Sequence, residues 1–299
     1  MPRRLFFMDH HMLPLPPRHK FPIEKYRMVR ELLQGDKRLL LEPAKFAGRD
    51  AIELVHDREY VESILNGTVS ATVMRRIGFP WSEGLVKRTL ASVGGTLAAT
   101  DDALKVGWSG TLAGGTHHAF TAEGSGFCVF NDIAVAIRSL QSQAQIVRAS
   151  VVDLDVHQGD GTAHIFYDDP NVFSFSVHCK NNFPLRKQHS KLDVELDSGV
   201  GDDEYLDTLA RHLPKSFDFH PDIVFYQSGV DGLESDTLGH LALTADGLAE
   251  RDRMVMTAVR NAGIPLVVTL GGGYSDPIAL TAEAHAATFR IAAEVLGYA

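Results

Sequence analysis

The chain has 299 residues, 44% of them hydrophobic and 22% charged, and carries a net charge of −9, the balance of an ordinary globular enzyme. Its basic residues cluster only in isolated pairs such as Arg3-Arg4, Arg75-Arg76 and Lys87-Arg88, so no nucleic-acid partner is expected, and two cysteines are too few for a disulfide framework. No apolar run approaches the roughly 18 residues of a membrane helix and the amino terminus lacks a signal-peptide core, so no membrane contact and a cytoplasmic location are expected.

Leu5–Met8 reads as a first strand, and Glu24–Leu33 as a helix entered after Pro22. Ser82 can cap a long helix to about Lys105, with Leu85, Leu90, Val93, Leu97 and Leu104 as its apolar positions. A short strand is expected near Thr111–Ala113, then a loop from Gly114 to Phe130 and a helix from Asn131-Asp132 to about Leu140. An apolar stretch from Val147 then gives a strand ending at Asp155. Further strands fit Val172–Val177, Asp222–Gln227 and Pro265–Leu270; helices fit Thr244 to Asn261 and from about Pro277 onward. The acidic run Asp202-Asp203-Glu204 suits the first turn of a helix, where negative charge complements the dipole. Strands alternating with helices predict one α/β domain over residues 1–299, a mainly parallel central sheet with helices on both faces.

Four clusters of polar residues and glycines each follow an apolar strand directly. They are Gly114-Gly115-Thr116-His117-His118, Asp153 to Asp160, Ser228-Gly229-Val230-Asp231 and Gly271-Gly272-Gly273-Tyr274. Parallel strands bring their carboxyl ends to one edge, where ligands bind in open α/β sheets. Buried acids there must be paired or hold a metal. A catalytic zinc keeps three protein ligands and one open position. Asp155 and His157, two apart on extended chain, point the same way, and Asp231 from another strand end can complete the set. His117 and His118 fit the proton transfers of a hydrolysis, with Asp153 and Asp160 as candidate carboxylates behind them. Tyr274 can donate a hydrogen bond to a developing oxyanion.

These residues, together with Ser125-Gly126-Phe127-Cys128, occur in one order over about 114–274. In that order they resemble the zinc-dependent histone deacetylase family of the arginase–deacetylase superfamily. Phe21-Pro22-Ile23-Glu24-Lys25-Tyr26 and Asn182-Phe183-Pro184-Leu185 look most like its class IV and bacterial branch. The resemblance implies the arginase–deacetylase fold and hydrolysis of an Nε-acyl-lysine amide or a related small acylated amine. It implies one zinc on Asp155, His157 and Asp231, a ligand set that also tolerates ferrous iron. It makes His118 the general base beside His117, and Tyr274 the residue that polarises the carbonyl. It places Gly126, Phe127, Phe183 and Gly272 at the substrate, the two aromatic rings walling a slot for the lysine methylenes. It implies a structural potassium ion on the main chain of Asp153, Asp155, His157, Ser176 and Val177, and a weaker one at Phe166, Asp169 and Val172.

Two positions depart from the family pattern. Gly78 stands where many relatives carry a rim aspartate that grips the substrate backbone, and Lys25 where many have an arginine lining the product exit. Three rival functions differ in what they require. A dimanganese ureohydrolase needs extra acids, but the position two beyond Asp231 is Leu233. An acetylpolyamine deacetylase would favour an acidic entrance, which Gly78 and Phe79 do not supply. A silent acyl-lysine-binding protein would have lost a ligand, a histidine or the tyrosine, and all are present.

Overall fold

Eight strands lie side by side in the computed structural model, which describes residues 2–297. They are β1 (Arg3–Phe7), β2 (Leu39–Pro43), β3 (Trp108–Thr111), β4 (Ala149–Asp153), β5 (Val172–Cys179), β6 (Leu192–Leu196), β7 (Ile223–Gln227) and β8 (Leu266–Thr269). Every pairing is parallel, in the order β2-β1-β3-β8-β7-β4-β5-β6. The helices are α1 (Lys25–Leu33), α2 (Arg49–Ile52), α3 (Arg58–Asn66), α4 (Ala71–Ile77), α5 (Glu83–Val106), α6 (Asp132–Ser142), α7 (Asp160–Ile165), α8 (Asp202–His212), α9 (Pro214–Asp218), α10 (Ala245–Ala262) and α11 (Ile278–Val295). This is the single α/β domain expected from the alternation of strands and helices. Met1, Tyr298 and Ala299, at the ends of the expected span, lie outside the described residues.

Every residue of β3, β4, β7 and β8 is buried, as a parallel sheet covered on both faces requires. The apolar runs of β7 (Ile-Val-Phe-Tyr-Gln) and β8 (Leu-Val-Val-Thr) were therefore readable, whereas β3 reads Trp-Ser-Gly-Thr. The outer strands β2 and β6, with exposed or half-buried positions, show no such run and escaped the sequence reading. Four helices begin where a side chain accepts from the third residue onward: Ser70 from Val73 N–H at 3.2 Å, and Ser82 from Leu85 N–H, Asn131 from Ala134 N–H and Thr244 from Gly247 N–H, each at 3.0 Å.

Strand boundaries shift from expectation: β1 spans Arg3–Phe7 rather than Leu5–Met8, and β5 runs on to Cys179. The third strand lies at Trp108–Thr111, earlier than 111–113, because Trp108 and Ser109 pair with Leu266 and Val267. The fourth stops at Asp153, which pairs with Ser176 and Gln227. Asp155 has already left the ladder and turns its carboxylate toward the Gly272 N–H.

The order of the sheet positions the site. Strands β3 and β4 follow one another in sequence but are separated by the last two strands, β7 and β8, which fill the gap between them. The four strands that precede the polar clusters are thus consecutive neighbours in space. Phe225, fully buried in β7, sits in the middle of this block. Phe225→Ala is expected to destabilise the fold by about 3–5 kcal/mol in urea unfolding. Leu185→Ala, at a residue 92% exposed, should cost within about 0.5 kcal/mol.

Candidate metal centre and active site

The loops after β4, β7 and β8 bring Asp155, His157 and Asp231 together, with one ligand atom from each within 4.8 Å of the others. His157 Nδ1 lies 3.0 Å from Asp155 Oδ1 and 3.0 Å from Asp231 Oδ2. The other carboxylate oxygens are fixed by backbone: Gly272 N–H donates to Asp155 Oδ2 at 2.6 Å and Val156 N–H to Asp231 Oδ1 at 2.9 Å. Gly272 is required for this approach, since a Cβ there would overlap Asp231 Oδ2.

Asp155 and Asp231 are almost wholly buried and form no ion pair with Lys or Arg among the described residues. Two such carboxylates are costly without a cation. Burial opposes charge on His157, yet the two carboxylates raise its pKa to about 10. Burial, with Asp155 alongside, raises Asp231 to about 7. The cluster therefore holds protons that a divalent ion would displace. Two oxygens and one imidazole nitrogen suit such an ion, which would take Asp155, His157 Nδ1 and Asp231.

His117 and His118 flank this group from the loop after β3, their rings 4.0 Å apart. His117 Nδ1 lies 2.7 Å from Asp153 Oδ2, and His118 Nδ1 lies 2.6 Å from Asp160 Oδ1. Each histidine thus has its own aspartate, a pairing the sequence left open. Against burial, Asp153 and Asp155 raise His117 to about 9, whereas burial and the neighbouring His117 lower His118 to about 4. A proton on the pair belongs on His117. With Nδ1 of His118 engaged by Asp160, Nε2 is its remaining nitrogen.

One cavity of about 410 Å³ touches His117, His118, Asp155, His157, Gly272 and Tyr274. Phe127 and Phe183 also line it, Phe183 being 43% exposed at the mouth. The Phe183 ring meets His118 edge-on at 5.0 Å, and Phe127 lies 6.2 Å from the Tyr274 ring. Phe127 takes a left-handed conformation (φ +64°), and its N–H donates to Ile77 O at 2.7 Å. Gly78 closes α4 in a left-handed turn (φ +86°) with the Phe127 ring against its Cα. A side chain there would be strained, and its Cβ would come within 2.9 Å of the Phe127 ring.

Some supporting residues went unnoticed in the sequence. Asp132, expected only to start a helix, is buried and accepts from Gly115 N–H (3.1 Å), Thr116 N–H (2.8 Å) and the Thr116 and Thr96 hydroxyls (2.6 and 2.5 Å), clamping the loop that leads to His117. Asp236 accepts from Tyr274 N–H at 2.6 Å and from Leu238 and Gly239 N–H at 2.8 Å, fixing the tyrosine's backbone. Lys25, already singled out in the sequence, is fully buried and donates to Gly271 O (3.2 Å) and Gly273 O (3.3 Å) beneath the same loop. Among the described residues Asp9, His10 and His11 form no metal cluster: Arg30 holds Asp9, His10 packs on His11 and Phe7, and His11 packs on Phe46.

Residues 19–290 match the family description "Histone deacetylase domain". An uncharacterised protein of Picosynechococcus is 45% identical over 95% of this chain and 96% of its own length. Histone deacetylase 2 of Arabidopsis thaliana is 32% identical over 86% of this chain and 70% of its own. The acetoin utilization protein AcuC of Bacillus subtilis is 30% identical over 77% and 65%. The crystal structure of the HDA15 HD domain superposes with a TM-score of 0.81 at 22% identity, covering all of this chain and 89% of that one, which shows the shared fold. The chain belongs to the histone deacetylase family, a family of generally metal-dependent hydrolases. None of the helices described is long and apolar enough to cross a membrane.

The metal-ligand reading has a direct check. Asp231→Ala is expected to reduce bound divalent metal from about one ion per chain to a trace in elemental analysis, while the protein stays folded by circular dichroism. Full metal occupancy in a folded Asp231→Ala protein would remove Asp231 from the ligand set.

Proposed function

We propose that this chain is a zinc-dependent deacylase that hydrolyses the amide of an Nε-acyl-lysine or a related acylated amine. The observation that carries the reading is that two His–Asp pairs lie beside the Asp155, His157 and Asp231 cluster, with His117, His118, Asp155, His157 and Tyr274 lining one cavity. Bound by those three side chains, zinc would supply Lewis acidity, lowering the pKa of water and polarising a carbonyl; ferrous iron suits the same ligands.

The protein's own residues do the rest. The slot between Phe127 and Phe183 accepts an alkylamine stem. His118 Nε2 accepts the proton of the attacking water while Asp160 holds the ring through Nδ1. His117, charged against Asp153, stabilises the negative charge that develops on the acyl carbon's substituents, and the proton on His118 passes to the departing amine nitrogen. The Tyr274 hydroxyl donates to the carbonyl oxygen as it gains charge, a donor worth roughly 3–4 kcal/mol in comparable oxyanion sites. Beneath, the main chain of Asp153, Asp155, His157, Ser176 and Val177 would hold potassium; the pairing of Asp153 with Ser176 across β4 and β5 supports that grouping. Phe166, Asp169 and Val172 would form the weaker second site.

Gly78 favours a substrate that needs no grip on a peptide backbone, so acylated small amines stand beside acyl-lysine peptides. His118→Ala is expected to lower turnover of an acetyl-lysine peptide about a hundredfold or more, with metal content unchanged. Retained turnover in that variant would take His118 out of the reaction.

A further inference from the structure

Arg88 is a cation that the reaction described above leaves unused. It stands on α5 at the buried part of the same cavity, with Leu85, Thr89, Ser92 and Val93 from the same helix. Its side chain is buried (5% exposed), and Nη1 and Nη2 have no hydrogen-bond partner among the described residues. Its guanidinium lies over the Tyr26 ring at 4.3 Å. The acid whose field reaches it, Asp9, is already held through both oxygens by Arg30, at 2.9 and 3.0 Å. A desolvated guanidinium without a counter-ion is costly unless something that enters the cavity completes it.

The planar fork of Arg matches a carboxylate, and Thr89 and Ser92 add hydroxyls to the same wall. The other walls nearby, Met8, Phe21, Leu85 and Val93, are apolar. Tyr274, Lys25, Tyr26 and Arg88 form a continuous line, with Lys25 Nζ 5.1 Å from the Tyr274 ring and 5.3 Å from the Tyr26 ring. A ligand that fits is an apolar chain with a carboxylate at its far end.

Resting on the deacylase reading, we propose that Arg88 is a specificity residue and that the preferred acyl group is an ω-carboxyacyl chain such as succinyl, glutaryl or adipoyl. The reaction stays a hydrolysis: the amide C–N bond breaks, water gives its hydroxyl to the acyl carbon and its proton to the amine, and a dicarboxylate leaves. Arg88 touches the acyl tail, not the reacting atoms.

The test compares one lysine peptide bearing glutaryl or pentanoyl, chains of equal length, with wild type, Arg88→Met and Arg88→Lys. The wild type is expected to favour glutaryl in kcat/KM by about tenfold or more, the scale of a charge-assisted hydrogen bond. That ratio should collapse toward one in Arg88→Met and recover in part in Arg88→Lys. Equal or better use of pentanoyl by wild type, or an unchanged ratio in Arg88→Met, would overturn the assignment. Calorimetry of free glutarate against pentanoate on the same proteins reads the site without turnover. Both acids can reach a metal through one carboxylate, so only a second cation favours glutarate, and equal affinity for wild type would also overturn the proposal. Failure of every acyl peptide to turn over counts against the deacylase reading, while the calorimetric comparison still decides the role of Arg88.

Discussion

Two buried aspartates that share one imidazole are the constraint from which the rest of the site follows. Asp155 and Asp231 each have one oxygen on a backbone N–H and the other 3.0 Å from His157 Nδ1. Carboxylates this deep are tolerable only against positive charge, and the single His157 ring is a poor match for two of them. On the proposed reading, a divalent ion would balance this charge. The neighbouring His117 and His118, each with its own aspartate, would then stand beside that ion, as the proposed proton transfers require.

Topology makes this proximity inexpensive. Because β7 and β8 insert between β3 and β4, the four loops that carry the chemistry are neighbours, and none must be long to meet the others. The loops are held by carboxylates beneath them, Asp132 under Gly115-Thr116 and Asp236 under Tyr274. Rigid support of this kind keeps reacting groups aligned. The same frame allows the cavity to extend behind the metal site to α5, where Arg88 waits unpaired.

Much of this was legible in the sequence, for physical reasons. The central strands are buried on both faces and so announce themselves as apolar runs, and each ends abruptly in acids, histidines and glycines. The edge strands β2 and β6, such as Leu-Asp-Val-Glu-Leu, bury too little to leave that mark. Which aspartate serves which histidine could not be read, since the partners lie 36 and 42 residues apart. Asp132 read only as a helix start and Asp236 drew no reading, because nothing local distinguishes a loop clamp from a solvated carboxylate. Arg88 occupies a polar position in a helical pattern and would ordinarily be solvated. In the fold it is buried, with its guanidinium over the Tyr26 ring of α1.

The central claim, one divalent ion held by three side chains from two strand ends, is tested most directly by anomalous diffraction at the zinc edge on crystals of the purified protein. The account predicts a single peak bounded by Asp155, His157 Nδ1 and Asp231. A peak elsewhere, or two metal peaks bridged by these carboxylates, would contradict it.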